Sequence, residues 1–151
     1  MKITARADYA VRATAELAAS RPAYLTAEKI AVSQSIPQPF LTAILQDLRK
    51  AGIVESRRGV DGGHRLAVAA DELTVADVIR VIEGPLAGVA GKAPEDVSVP
   101  GPGALLPQVW VATRSALREV LEAVTLADVV AQRLPPDVQR RLDAPGAWKR
   151  R

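Results

Sequence analysis

The sequence predicts a mainly α-helical protein with one small β-hairpin and a long C-terminal helix. Three observations lead to this fold class. Apolar residues recur at helical spacing in three early segments, two short segments after them alternate as strands do, and a late segment carries apolar residues at heptad spacing. Hydrophobic residues make up 48% and charged residues 25% of the 151-residue chain, which is the ordinary balance of a folded globular protein.

Three helices are predicted in the first third of the chain. The first spans about residues 4–20, and Thr26 is an N-cap for a short second helix. Proline is tolerated in the first turn of a helix, so Pro37 and Pro39 can open the third. The apolar side of this helix is expected to pack on the first two, and Gly52 is expected to end it.

A β-hairpin is predicted next. Residues 53–57 and 64–68 alternate between apolar and polar side chains, as half-buried strands do. The glycines within residues 58–63 permit positive φ angles and indicate a hairpin tip. Three helices followed by a glycine-tipped hairpin form the winged helix-turn-helix plan. We expect this unit, closed by a helix that Thr74 caps, to occupy residues 1–83.

The composition changes beyond this unit. Residues 84–103 contain five glycines and four prolines, which predicts a flexible loop without regular structure. Residues 104–134 are predicted to hold the dimerisation helices, namely a long helix to about residue 124 and a short one that Thr125 begins. The Pro135-Pro136 pair ends the short helix, and residues 135–151 are expected to form a C-terminal tail.

A heptad-like seam of apolar residues runs along the long helix. Its members are Leu106, Trp110, Thr113, Leu117, Val120 and Val124. Such a stripe can pack within the chain or against a second copy. The length of the helix favours a partner helix, with Trp110 as its natural anchor, so we expect a homodimer.

The chain contains no cysteine and a single histidine, His64. Disulfides, cysteine-ligated metal sites and thiol nucleophiles are therefore excluded. One histidine is too few for a metal site, and no nucleophile–base pair or phosphate-binding glycine loop is found, so we expect no metal, no cofactor and no enzymatic activity. Charged residues interrupt the first 20 positions and no apolar run is long enough for a bilayer, which predicts a cytoplasmic protein without a membrane partner.

Positive charge is concentrated in the first half of the chain. The formal net charge is +3, with +4 on residues 1–66 and −1 on residues 67–151. A basic N-terminal half is expected for a surface that binds phosphate groups. An excess of this size is weak evidence when taken alone.

These segments, in this order, resemble the Rrf2 family of bacterial winged-helix regulators. The matching segments are Ile3-Thr4, 8–13, Ile36-Pro37, Phe40-Leu41, 48–56, 58–66, 74–79 and 125–128. The resemblance covers about residues 1–130 and is most specific at the wing. It implies a homodimer formed through the long helix and double-stranded DNA as the partner.

The chain departs from the family pattern at two places. Many members carry three cysteines in the loop before the long helix, where they hold an iron–sulfur cluster, whereas residues 87–103 contain none. This departure removes the commonest sensing chemistry of the family. Asp8, from which some relatives ligate the cluster, is expected to pair with Arg12 instead. His64 stands on the wing where a tyrosine is usual, which leaves DNA binding possible.

The third helix presents candidate base-contacting side chains. Gln38, Thr42 and Gln46 are spaced four apart and share a face with Arg49. Glutamine can pair with adenine and threonine can contact a thymine methyl group in the major groove. The alternative is an ordinary solvated helix face.

The wing offers basic side chains. Arg57, Arg58 and Arg65 can lie along phosphates or enter a narrow minor groove, and the alternative is solvated charge at strand ends. The resemblance places a minor-groove arginine at Arg58. The remaining candidates for DNA contact are Lys2, Thr4, Gly59 and His64.

These features predict a dimeric transcription regulator, a repressor, that binds a pseudo-palindromic operator. Its effector is expected to be a small molecule or a protein, since the residues for an iron–sulfur cluster are missing. The alternative is a winged-helix module that binds proteins and not DNA. Salt-dependent binding to duplex DNA would separate the two functions.

Overall fold

The computed structural model describes residues 3–149, and Lys2 lies outside them. The described residues form seven helices and a two-stranded antiparallel sheet, which confirms the fold class. The elements are α1 (Ala5–Ala19), α2 (Ala27–Gln34), α3 (Gln38–Lys50), β1 (Val54–Arg57), β2 (Gly63–Leu66), α4 (Val75–Glu83), α5 (Leu106–Leu121), α6 (Leu126–Val130) and α7 (Pro136–Leu142). None of the helices among the described residues has the length and apolar character needed to cross a membrane.

Threonine side chains begin four of these helices. The hydroxyl oxygens of Thr4, Thr26, Thr74 and Thr125 each accept a hydrogen bond from a backbone N–H in the first helical turn. Thr74 and Thr125 belong to complete capping boxes, in which an aspartate returns a bond to the threonine backbone. These caps confirm the predicted helix starts because capping depends only on residues three apart.

Helix α1 lies at the centre of the core. Ala10, Ala13 and Leu17 on this helix have no exposed surface. Helices α2, α3, α4 and α6 and strand β2 all pack against α1. The position of α3 is therefore fixed through its contact with α1.

The C-terminal helices return to the same core. The Leu126 N–H donates to the Leu73 carbonyl at 2.8 Å, the Val75 N–H donates to the Val124 carbonyl at 2.9 Å, and the Leu126 side chain is fully buried. Val124, a predicted member of the seam, lies beyond the end of α5 and is only 7% exposed. Its assignment to a dimer surface is wrong, because the chain turns inward before residue 124.

The segment 84–103 contains more structure than its composition predicts. Pro94–Asp96 and Gly101–Gly103 form single turns of 3₁₀ helix, and Pro94 is buried. The Arg114 Nη1 atom lies 2.7 Å from the Glu95 Oε2 atom. The prediction of no regular structure is wrong for these turns, because a proline restricts φ to values that a short helical turn can use.

The C-terminal tail also contains a helix. Helix α6 ends at Val130, and Gln132 has a φ angle of 52°, so the helix stops before the Pro135-Pro136 pair that was predicted to end it. Pro136 is instead the first residue of α7. Val138 of α7 is 6% exposed, and Arg141 forms an ion pair with Glu119 of α5. The prediction that the proline pair ends α6 is therefore wrong, and Pro136 has the role for which proline is suited at the first position of a helix.

The hairpin pairs with a third short segment. Val54 faces Leu66 and Arg57 faces Gly63 in the antiparallel register. On the other side of β2, Leu25 and His64 exchange backbone hydrogen bonds of 2.7 and 2.9 Å. A Cβ atom on Gly63 would lie 2.4 Å from the Leu25 carbonyl oxygen, so this close approach requires glycine.

We expect Gly63→Ala to lower the free energy of unfolding by about 2–3 kcal/mol, because it adds a steric clash to an unfavourable positive φ angle. Gly59→Ala is the matched control, since Gly59 also has positive φ (106°) but a Cβ atom added there would meet nothing within 4 Å. It should cost only about 1 kcal/mol. Urea denaturation of the two variants measures the difference. Equal losses would show that the contact with Leu25 is unimportant.

Candidate nucleic-acid interface

Helix α3 separates an apolar face from a polar face. Its buried side chains are Leu41, Ile44, Leu45 and Leu48. The predicted contact residues Gln38, Thr42, Gln46 and Arg49 are all exposed on the opposite side. The Thr42 hydroxyl donates to the Gln38 carbonyl at 3.0 Å, so its methyl group is oriented by a bond within the helix. The structure therefore places the four predicted side chains on one accessible face.

A groove of about 230 Å³ separates this face from the wing. Thr42, Gln46 and Arg49 line one wall, and Ser56 and His64 line the other. The groove brings the predicted helix residues and the wing histidine into one surface. Its lining side chains include hydrogen-bond donors and acceptors, which suits contact with base edges or phosphates.

His64 is half-buried at the base of this groove. The Ser56 Oγ atom lies 2.9 Å from the His64 Nδ1 atom. Burial lowers the pKa of His64, and the positive charge of Arg49 lowers this pKa further. Both effects favour the uncharged imidazole, which offers a hydrogen-bonding atom rather than a fixed positive charge.

Two of the three predicted wing arginines are engaged by Tyr24. The guanidinium carbons of Arg57 and Arg65 lie 4.5 and 4.6 Å from the centroid of the Tyr24 ring. The Tyr24 hydroxyl donates to Glu55 at 2.6 Å, and the Arg65 Nε–H donates to the same carboxylate oxygen at 2.9 Å. The hydrogen bond to Glu55 raises the pKa of Tyr24, and the bonds from Tyr24 and then Arg65 lower the pKa of Glu55.

Tyr24 was not among the predicted residues because its contacts are distant along the chain. Tyr24 and Glu55 are 31 positions apart, so no local spacing indicates that they meet. Arg57 also donates to the Asp61 carbonyl at 2.6 Å, which holds the wing tip closed. Arg57 and Arg65 thus stabilise the wing itself.

Arg58 differs from its neighbours. Its side chain is exposed at the wing tip, and within residues 3–149 it has no ion-pair partner. The adjacent Gly59 has a φ angle of 106° and open space around it. Arg49 on α3 is also exposed, and it too has no ion-pair partner within residues 3–149. Arg49 and Arg58 are therefore the basic side chains at this surface with charge available to a ligand.

Thr4 has a structural role at the start of α1. Its hydroxyl accepts from the Ala7 N–H at 3.1 Å and donates to Glu83 at 2.6 Å. The only proton of the hydroxyl is thus donated within the chain, which argues against the predicted DNA contact by Thr4. Asp8 pairs with Arg12 at 3.0 Å, as predicted.

Helix α5 has no buried residue along Leu106–Leu121. Leu106, Val109 and Trp110 are 42%, 44% and 37% exposed. Thr113 and Leu117 from the predicted seam are half-buried, because they and Trp110 line cavities that the 84–90 segment of the same chain also lines. The seam is therefore partly covered within the chain and partly open.

The comparisons with known proteins agree with this geometry. The family model described as "Rrf2: Iron-dependent Transcriptional regulator" matches residues 3–132. The putative HTH-type transcriptional regulator Rv1287 of Mycobacterium tuberculosis is 42% identical over 144 residues, which cover 95% of this chain and 89% of the relative. The regulator CymR of Bacillus subtilis is 33% identical over 132 residues, which cover 87% and 91%.

Solved structures show the same fold. The structure of CymR, described as the global cysteine regulator of B. subtilis, matches with a TM-score of 0.74 and 31% identity, covering 87% of this chain and 98% of that one. T. potens IscR matches with a TM-score of 0.72 and 30% identity, covering 87% and 88%. The chain belongs to the Rrf2 family of helix-turn-helix transcriptional regulators, which are DNA-binding proteins and not enzymes.

Proposed function

We propose that this protein is a cytoplasmic repressor that binds a pseudo-palindromic operator as a homodimer and does so without an iron–sulfur cluster. The observation that carries the proposal is the exposed polar face of α3 beside a wing whose tip arginine is unpaired. The alternative of a protein-binding module is not favoured, because the relatives are transcriptional regulators.

The contacts of each side chain suggest a different role for it in DNA binding. Gln38, Thr42 and Gln46 are short, uncharged and exposed on α3, which suits them to base edges in the major groove. Arg58 extends from the wing tip, where it can enter the adjacent minor groove or contact a phosphate. Arg57 and Arg65 act indirectly by fixing the wing against Tyr24.

Dimerisation is supported by the state of α5. A helix of 16 residues in which no residue is buried as a whole is only marginally stable by itself, because most helical stability in proteins comes from tertiary packing. Leu106 and Val109 are exposed on its open side, and Val120 further along the helix is half-buried. A second copy related by two-fold symmetry would bury this side and place two α3 helices on successive major grooves.

The residues of this chain do not fit the iron that the family description names. Iron–sulfur clusters are held mainly by cysteine thiolates, and the sequence contains no cysteine. Within residues 3–149, no group of three or more His, Asp or Glu side chains is arranged to hold a metal ion. The effector is therefore proposed to be a small molecule or a protein partner.

Operator binding can be tested with fragments selected from a random DNA pool, which we expect to contain two inverted half-sites. On the selected operator, Arg58→Ala should weaken binding, and the slope of log affinity against log salt should fall by about one. Arg140→Ala removes the same charge from α7, outside the proposed surface, and should leave the slope unchanged. Failure to select any sequence would contradict the proposed function. An unchanged slope for Arg58→Ala would show that Arg58 does not contact the DNA.

The dimer can be tested with Val109→Glu, which places a carboxylate on the open side of α5. A charge buried without a partner against a second copy should dissociate the dimer and lower operator affinity, since each subunit contacts one half-site. Val130→Glu is the control, because Val130 is 41% exposed and Val109 44%. Sedimentation velocity at micromolar concentration measures the mass. Monomeric wild-type protein would refute the dimer.

The absence of a cluster can be tested by anaerobic purification followed by a visible spectrum and assays for iron and sulfide. We expect a colourless protein whose operator affinity does not respond to oxygen, nitric oxide or iron chelators, because no thiolate is available. Stoichiometric iron with charge-transfer absorption bands would contradict this prediction.

A further inference from the structure

Three arginine side chains line one open cavity between α4 and α5. The cavity has a volume of about 360 Å³. Its lining residues are Arg80, Gly84, Pro85, Leu86, Arg114 and Arg118. No carboxylate is among them, so the charged part of the wall is formed by guanidinium groups alone.

Carboxylates that do not line the cavity form ion pairs with these guanidinium groups. Asp77 lies 3.2 Å from Arg80, and Glu122 forms an ion pair with Arg80 and lies 3.7 Å from Arg118. The Arg114 guanidinium lies 2.7 Å from Glu95, and this contact is the main reason why the pKa of Glu95 is lowered. Each guanidinium has five N–H donors, and these contacts use only some of them.

Arg114 argues against a purely structural role for the cluster. An ion-pair brace between α4 and α5 explains Glu122, which contacts arginines on both helices. It does not explain Arg114, which pairs with a different carboxylate and still lines the same cavity. The Arg114 side chain is only 16% exposed, although no residue of α5 is buried as a whole. Arg114 is thus a largely buried side chain whose guanidinium contacts Glu95 through one nitrogen and keeps other N–H donors for an anion in the cavity.

We propose that this cavity binds a small dianion, namely a phosphate or a dicarboxylate. Planar guanidinium groups pair with the oxygens of both in a bidentate manner. The three carboxylates behind the arginines make the cluster nearly neutral, so the ligand is selected by directed hydrogen bonds more than by net charge. The volume lies at the small end of ligand pockets, which favours a compact anion over a nucleotide. The inference does not depend on the DNA-binding proposal, because it concerns a different surface.

The site can be tested by calorimetric titration of the full chain, without DNA, with inorganic phosphate and separately with succinate at constant ionic strength. We expect saturable binding of one anion per chain for at least one of them. A hundredfold excess over Kd should raise Tm by about 5–10 °C. Arg118→Gln should weaken binding at least tenfold and preserve the fold, because its nearest carboxylate contact is long. Arg114→Gln is a second variant in case the first fails to fold.

Arg140→Gln is the control, since Arg140, like Arg118, pairs with a carboxylate about one helical turn away but lies on α7, outside the cavity lining. It should bind the anion as the wild-type protein does. Phosphate also stabilises proteins non-specifically, and that effect neither saturates nor depends on Arg118. A rise in Tm that is linear in phosphate and equal in all variants would overturn the proposal. So would the absence of binding heat, or a loss of DNA affinity in Arg118→Gln without any anion binding.

Discussion

The small side chains of α1 are the constraint on which the rest of the structure depends. Ala7, Ala10 and Ala13 are at most 1% exposed, so neighbouring helices approach the α1 backbone closely. Because α2, α3, α4 and α6 share this one surface, a larger residue there would displace several elements together. The position of α3 relative to the C-terminal helix α6 therefore depends on these alanines, and the low aromatic content of 3% is consistent with such a core.

The wing depends on a second set of contacts, which the core does not supply. Leu25 pairs with β2 because Gly63 has no side chain, and the neighbouring Tyr24 lies between Arg57 and Arg65. The segment before α2 therefore serves as the support of the hairpin. This arrangement explains why three arginines in one wing need not have the same role: two hold its shape, and Arg58 remains available.

The features that sequence analysis predicted are those that local residues determine. The effects of these residues extend over only three or four positions. Threonine caps and proline in a first helical turn therefore predicted the helix starts correctly, and the glycines predicted the hairpin tip. The errors arose where the outcome depends on distant partners. Val124 fits a heptad but is drawn into the core by its backbone bond to Val75, and Tyr24 carries no local signal of its contact with Glu55. The role of Pro136 as the start of α7 was missed because proline is found both after the end of helices and at their start.

The chain leaves the core after α4 and returns to it before α6, with α5 in between. One backbone contact joins the residues that precede α4 and α6. Thr74 and Thr125 form an antiparallel backbone bridge, and each also opens a capping box. The ends of the excursion are therefore anchored side by side, while the helix between them buries no residue of its own. Between α4 and α5 the polar contacts run through Arg80 and Glu122. A change in that ion-pair cluster would alter the packing of α5 against α4 directly. Since α4 packs on both α1 and α3, it connects this cluster to α3.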